Sequence, residues 1–175
     1  MNVPEIIDSV TYQVFNVAGS YIYVCPAGVR YIIVEAVGAG GSGARTAGLL
    51  SGGSGGSGAY FKKYYAAGNY NIIVGTPGPN QPSPGFNGYA GTSSVWNTDY
   101  AGGGGAGLLV SGGAGGVLTV ANVNTSLVGT RGGVGTVTNG YNLLGYQGSG
   151  GAGVPSASAA STVGGAGSIL VREIY

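Results

Sequence analysis

Glycine constrains this chain more than any other residue type, because 40 of its 175 residues are glycine. Holding a glycine in regular structure costs about 0.5–1 kcal/mol relative to alanine, since glycine has more conformational freedom to lose. The glycines occur in short clusters between segments that are typical of β-strands. The clusters are therefore either flexible linkers or parts of a structure that requires glycine. The clearest of them are residues 38–43, 52–58, 102–107, 112–116, 148–153 and 164–167.

The composition favours a folded body over flexible linkers. Disordered chains combine low hydrophobicity with many charges, whereas this chain is 43% hydrophobic and 6% charged, with a mean hydropathy of +0.27. A chain of this length normally forms one domain. We therefore predict a single glycine-rich β domain over residues 1–175, with a strand-rich part at 1–100, a glycine-tract part at 101–167 and a closing strand at 168–175.

Several segments are rich in β-branched and aromatic residues, as half-buried strands are. A β-hairpin is predicted for 59–66 and 70–74, because Ala67-Gly68-Asn69 between them is typical of a turn. The proline-rich residues 76–90 are predicted to form an ordered surface loop. No segment keeps a helical period, so the predicted fold class is all-β, a sandwich of the N-terminal strands and the C-terminal strand. The predicted strands are 12–17, 21–24, 29–37, 59–66, 70–74, 92–96 and 168–175.

The spacing of the glycines suggests a second structural component beside the sandwich. Gly52, Gly55 and Gly58 are three residues apart, and so are Gly53 and Gly56. Three residues per turn is the period of the polyproline II helix, which makes no internal hydrogen bonds. Such helices built of glycine can pack backbone to backbone and bond laterally, which satisfies buried amides. The tracts are expected to form packed polyglycine II-like segments, and ordinary glycine loops remain the alternative.

Catalysis is not predicted. The chain has no histidine, which is the usual general base and the commonest transition-metal ligand. Residues 38–43 match the G-x-G-x-x-G pattern of dinucleotide-binding loops. However, no helix is predicted after them, and no acidic residue occurs between Glu35 and Asp99 to hold a ribose. We therefore expect a protein that is not an enzyme and has no catalytic residues, cofactor or metal.

The charges and the termini exclude other classes of partner. A net charge of +1 gives no basic surface for nucleic acid. The longest apolar run, 31–37, is too short to span a bilayer, so membrane insertion is not expected. The N-terminus lacks the basic and apolar regions of a signal peptide, which predicts synthesis in a cytoplasm. The single cysteine, Cys25, cannot form an internal disulfide.

Aromatic side chains in the glycine-rich loops are the candidate binding residues. Tyrosine, tryptophan and phenylalanine present flat apolar surfaces that suit recognition, as in antibody loops. The alternative is that these side chains fill gaps that glycine leaves in the scaffold. Trp96 follows a strand-like SSV segment and is predicted to be a core residue. The candidate receptor-binding residues are Phe86, Tyr89, Tyr100, Tyr141 and Tyr146.

The order of the motifs resembles a known family. A turn at Cys25-Pro26-Ala27-Gly28-Val29 precedes a strand that enters the glycine cluster VEAVGAGGSG at 34–43. The later motifs are IIVG at 72–75, SSVW at 93–96 and GGAGSILVRE at 164–173. This layout resembles the glycine-rich domains of bacteriophage tail-fibre and other virion proteins. It is broadly similar to the glycine-rich adhesins at the tips of T-even-like long tail fibres.

The resemblance implies host attachment, with stacked polyglycine II helices as a rigid core and loops that meet a bacterial receptor. The expected function is a virion-surface or tail-fibre-tip protein that recognises a host cell-surface receptor, either protein or glycan. Its expected location is the virion surface or tail fibre after synthesis in the host cytoplasm, or otherwise an extracellular assembly. The alternative is a structural subunit that decorates a capsid or forms filaments. Its partners would be other virion proteins or copies of itself, with Leu108 and Leu109 at the interface.

Overall fold

The computed structural model describes residues 9–48, 52–119, 125–127, 148, 153 and 161–175. These residues form strands and extended segments, and no α-helix or 3₁₀-helix occurs among them. The strands lie in two antiparallel sheets: sheet A has the order β1-β10-β3-β4-β9, and sheet B has the order β2-β5-β6-β7-β8. The strands are β1 Val10–Phe15, β2 Gly19–Tyr23, β3 Tyr31–Val37, β4 Tyr60–Ala66, β5 Tyr70–Val74, β6 Ser94–Trp96, β7 Asp99–Ala101, β8 Leu118–Thr119, β9 Thr125–Leu127 and β10 Ser168–Ile174.

The two sheets pack face to face around one hydrophobic core. Alternate residues of each strand point inward, because successive side chains of a strand lie on opposite faces. Sheet A and sheet B both contribute to the same buried cluster, in which Trp96 is fully buried, as predicted. The predicted all-β sandwich is therefore confirmed. The buried core residues are Tyr23, Val29, Ile32, Val34, Ala36, Phe61, Ile72, Val74, Trp96, Ala101, Ile169 and Val171.

The predicted β4–β5 hairpin is wrong. Strand β4 pairs with β3 in sheet A, whereas β5 pairs with β2 in sheet B. Residues 67–69 therefore cross from one sheet to the other instead of joining neighbours. The Asn69 side chain accepts a hydrogen bond from the backbone N–H of Cys25 at 2.9 Å, which fastens the crossing to the connection after β2. Both strands can then bury apolar side chains in the core from opposite sides.

The glycine-rich segments that the structure describes form a bundle of extended helices on one end of the sandwich. Each helix continues a strand outward or leads back into one, so the turns between helices lie at the far end of the bundle. Residues 76–90, predicted as an ordered surface loop, lie outside the strands and are mostly exposed, and parts of this segment also bond to the bundle. Proline is compatible with this arrangement, because its fixed φ is the φ of a polyproline II helix. The bundle helices are residues 38–45, 52–59, 75–82, 85–92, 102–108, 111–117 and 161–167.

The helix at 38–45 is the centre of the bundle, and residues 38–44 are all buried. Its backbone N–H groups donate to three different neighbours in rotation, at 2.8–3.4 Å, so every third residue bonds to the same neighbour. This rotation is the signature of polyglycine II packing, and it decides between the two interpretations for the described tracts. Residues 149–152 of the tract at 148–153 lie outside the described residues. The N–H groups of residues 38, 41 and 44 donate to the carbonyls of residues 59, 56 and 53, in that order, in the helix at 52–59. Those of residues 39, 42 and 45 donate to residues 92, 89 and 86 in the helix at 85–92. Those of residues 40 and 43 donate to residues 165 and 162 in the helix at 161–167.

Glycine is required in the bundle because a side chain would collide with the neighbouring backbone. A Cβ atom built on Gly55 would lie 2.1 Å from the carbonyl oxygen of Gly41, and one on Gly56 would lie 1.9 Å from that of Ala114. The two glycine series noted in the sequence thus face two different neighbours. Glycine is not required there for its ability to adopt a positive φ. Among the described residues, the glycines with positive φ are only Gly19, Gly28, Gly85 and Gly148.

Candidate functional site

The far end of the bundle brings together turns that are distant in sequence. We call residues 45–48, 82–87 and 108–111 the distal tip. Two of these turns are joined by backbone hydrogen bonds: the N–H of Arg45 donates to the Phe86 carbonyl at 3.0 Å, and the N–H of Phe86 donates to the Arg45 carbonyl at 3.1 Å. The side-chain oxygen of Asn87 accepts from the backbone N–H of Leu109 at 3.0 Å, which fastens the third turn. The distal tip is therefore a fixed surface.

Large apolar side chains are exposed on the distal tip. Phe86 is 60% exposed and Val110 is 86% exposed, with Leu108 exposed beside them. Tyr89 follows Phe86 by three residues, so it lies on the same face of its three-residue-per-turn helix. The Arg45 guanidinium, the one charge of the three turns, donates to the carbonyl of Pro82. The result is a small, nearly uncharged apolar surface on a rigid support, which suits recognition better than catalysis.

The structure brings some of the candidate aromatic residues together and separates others. Phe86 lies on the distal tip and Tyr89 lies next to it, both exposed. Tyr100 lies in β7, roughly 20 Å away along the bundle axis, given a rise of about 3.1 Å per residue. Tyr141 and Tyr146 lie outside the described residues. That these five residues bind a receptor stays a prediction.

Sequence reasoning missed Val110 and interpreted Leu108 only as an assembly residue. The available signal was the short apolar run LLV at 108–110 between two glycine tracts. A run of this kind in the middle of a glycine-rich region marks a turn between two bundle helices, where no neighbouring backbone demands glycine. The same reasoning does not say which turns lie together at the tip.

Two acidic side chains are buried in the sandwich and bind nearby donors. Glu173 accepts hydrogen bonds from the Tyr23 hydroxyl at 2.9 Å and the Gln13 amide at 2.6 Å. Asp99 accepts from the Lys63 ammonium at 2.8 Å and from the Tyr65 hydroxyl. Burial, together with the hydrogen bond to Asp99, raises the pKa of Tyr65, which keeps its hydroxyl protonated as a donor. These groups tie the two sheets together.

A third acid, Glu35, lies on the outer face of sheet A among cations. The Tyr60 hydroxyl donates to it at 2.8 Å, the Lys62 ammonium lies 3.4 Å away, and the Arg172 guanidinium is in direct contact. Burial alone would raise the pKa of Glu35, but Tyr60, Arg172 and Lys62 together outweigh burial and hold the pKa below its usual value. Burial and the Glu35 carboxylate raise the pKa of Tyr60 to about 12.

The lowered pKa of Glu35 predicts a loss of stability in acid. A depressed carboxyl pKa contributes stability above the unfolded-state pKa, and this contribution disappears as the pH falls through the folded-state pKa. We expect Glu35→Gln to lower the free energy of unfolding by about 1 kcal/mol at neutral pH. The difference in the free energy of unfolding between Glu35→Gln and the unmodified chain should fall to zero in acid, below the lowered pKa of Glu35. Urea denaturation at a series of pH values checks this, and a difference that does not depend on pH would contradict it.

No group of three acidic or cysteine side chains that could hold a metal ion occurs in the described part of the chain. Within the same residues, no helix is long and apolar enough to cross a membrane.

Comparison with known proteins identifies the type of domain. A family model described as a glycine-rich domain matches residues 16–173, which include strands β2–β9, all of β10 except its last residue, and every helix of the bundle. Strand β1 precedes the matched range. No curated protein matches the chain.

Proposed function

The chain belongs to the glycine-rich domain family, and we propose that it is an attachment protein. In this proposal it lies on the surface of a virion or at the tip of a tail fibre and recognises a host cell-surface receptor. The distal tip makes the contact, the polyglycine II bundle holds the tip, and no chemical step is involved. The order of its sequence motifs, which resembles glycine-rich virion proteins, supports the virion setting.

The observation that carries the proposal is the exposed apolar surface at the end of a rigid bundle. Phe86, Leu108 and Val110 are exposed. The backbone of Phe86 and that of Leu108 bond to adjacent helices, and the N–H of Leu109, next to Val110, donates to Asn87. A surface that is ordered before binding loses little conformational entropy on binding, so more of the contact energy appears as affinity. Aromatic anchors at the centre of such a surface commonly dominate binding. The bundle also carries the tip roughly 20 Å beyond the sandwich, where a large receptor can reach it.

Removing the aromatic anchor should weaken attachment without unfolding the protein. We expect Phe86→Ala to lower the affinity for receptor-bearing cells about tenfold or more, which is the usual scale for an anchor residue. Phe86 is 60% exposed, so its side chain contributes little to the core. Binding of the labelled chain to intact host cells, measured over a range of concentrations, gives the affinity.

Tyr64→Ala is the matched control for this experiment. Tyr64 is also an aromatic residue that is about half exposed, but it lies on the outer face of sheet A, away from the distal tip. Cell binding should not change in this variant. If both variants bind cells like the unmodified chain while their melting temperatures are also unchanged, Phe86 is not part of the contact surface.

A second candidate function, a structural subunit, is favoured by the outer face of sheet B. On this face Ser20, Ile73, Val95, Tyr100 and Thr119 form one cross-strand row without a charged side chain. Exposed Ile22 lies next to the row, beside a shallow depression between β2 and β5. Such a face suits contact with another virion protein. Electron microscopy of the purified chain separates the two functions, because filaments or coats favour the subunit and discrete particles favour the attachment protein.

A further inference from the structure

Strand β1 has an open edge in the part of the chain that the structure describes. It is the last strand of sheet A, and among the described residues it pairs only with β10. Just before it, the Ser9 carbonyl accepts from the N–H of Tyr175 in β10's extension. In an antiparallel pair, alternate residues direct their backbone groups toward the partner. The N–H and C=O groups of Val10, Tyr12 and Val14 therefore point away from β10, toward the open edge.

This edge carries none of the features that normally prevent pairing. Natural edge strands are protected by lysine, proline, bulges or inward charges. The strand VTYQVF contains no charged residue and no proline, and its residues pair with β10 without a bulge. The three residues that direct backbone groups outward are β-branched or aromatic, the types that favour strands most. Their side chains are exposed on the outer face of sheet A.

The residues of β1 on the outer face of sheet A have the same order in both chain directions, namely Val10, Tyr12 and Val14. We propose that β1 pairs antiparallel with β1 of a second copy of this chain, about a two-fold axis at Tyr12. Tyr12 then faces Tyr12 of the copy, and each Val10 faces the other copy's Val14. Each of these pairs exchanges two N–H···O bonds, so sheet A of one copy continues into sheet A of the other.

The second copy fits this edge for reasons of charge and symmetry. Only the residue on a two-fold axis meets its own equivalent, and the others meet in reciprocal pairs. A charge at position 12 would therefore face a like charge, and β1 has no charged residue. On the inner face, Thr11 and Gln13 already donate to Glu173, and pairing at the edge leaves those bonds intact. The pairing is independent of the proposed attachment function. It uses the sandwich, whereas the distal tip lies at the end of the bundle.

Sedimentation velocity of the full chain tests the proposal. We expect a dimer that dissociates on dilution. Tyr12→Lys places two ammonium groups directly opposite each other and should give a monomer at every concentration at low salt. Tyr64→Lys is the matched control, because Tyr64 is a tyrosine of similar exposure on the same sheet face but in β4, away from the edge. It should remain dimeric. A monomeric unmodified chain, or equal dissociation of both variants, overturns the proposal.

A cross-linking experiment tests the register. In a Cys25→Ser background, a mixture of Val10→Cys and Val14→Cys chains should form a disulfide-linked heterodimer under mild oxidation. Hydrogen-bonded antiparallel pairs have Cα atoms about 5.5 Å apart, within the range of about 4.4–6.8 Å that a disulfide spans. Either variant alone should stay unlinked. Cross-linking of Val10→Cys with itself would overturn the antiparallel pairing about Tyr12. If Tyr12→Lys does not fold, Tyr12→Pro serves instead, since edge strands tolerate proline where the lost N–H points to the open edge and not to β10.

Discussion

Replacing Gly56 with alanine is expected to destabilise the domain by more than about 4 kcal/mol or to prevent folding, an unusually large effect for one methyl group. The added Cβ atom would lie 1.9 Å from the carbonyl oxygen of Ala114. Gly56 cannot move away, because its N–H donates to Gly105 at 2.9 Å and its carbonyl accepts from Gly41 at 3.0 Å. Any shift that relieves the collision therefore breaks hydrogen bonds to two other helices. Urea denaturation gives the free energy of unfolding.

Gly48→Ala is the matched control for Gly56→Ala. A Cβ atom on Gly48 meets no atom within 4 Å, and its φ is not left-handed. This substitution should change the free energy of unfolding by less than about 1 kcal/mol, and it should do so by restricting the unfolded chain. Equal losses in the two variants would show that the bundle does not depend on close backbone contact.

Replacing Lys63 with alanine should cost about 3–5 kcal/mol, the usual cost of removing one partner from a buried ion pair. The Lys63 ammonium lies 2.8 Å from Asp99, and the side chain of Asp99 is only 7% exposed. Lys63 belongs to sheet A and Asp99 to sheet B, so the pair joins the two layers. Without Lys63 the Asp99 carboxylate stays buried and loses this ammonium partner, and it retains the Tyr65 hydroxyl as a donor.

The neighbouring residue Lys62 provides the comparison for Lys63. Its side chain points to the opposite face of β4, where it pairs with Glu35 at 3.4 Å on the outer surface. Solvent weakens such exposed pairs, so Lys62→Ala should cost less than about 1 kcal/mol. Denaturation of both variants under one condition measures the difference. Similar losses for the two lysines would mean that the pair between the sheets contributes no more than a surface pair.

The sequence predicts the strands well because their signal is local. Alternation and β-branched residues locate β3, β5 and β10 to within about two residues, since each strand has one face on the core. The pairing of strands is not local. The turn at 67–69 is compatible with a hairpin. Strand β5 lies in sheet B because the core is filled by side chains from both sheets, and no local pattern contains this requirement. The short strand β7 is also missed, because three residues carry too little pattern.

The bundle is predictable from the spacing of glycine, but the distal tip is not. Glycines three residues apart mark the faces that touch neighbouring backbones, as Gly55 and Gly56 do. The partners of each helix depend on the three-dimensional packing, which no local pattern contains. The tip joins Arg45, Phe86 and Leu109 through hydrogen bonds between turns that are far apart in sequence. Phe86 and Tyr89 were nevertheless recognisable as candidates, because they are large aromatic residues within a glycine-rich region.

The rotation of hydrogen bonds around the helix at 38–45 restricts how a protein of this kind can change in length during evolution. Inserting one or two residues into a bundle helix turns all later donors by about 120° or 240°, toward the wrong neighbours. Inserting three residues restores every donor to its neighbour and lengthens the helix by about 9 Å. Two antiparallel helices joined by a turn must then lengthen by the same number of residues. Viable variants should therefore differ by paired insertions of three, while the turns between helices remain free to vary.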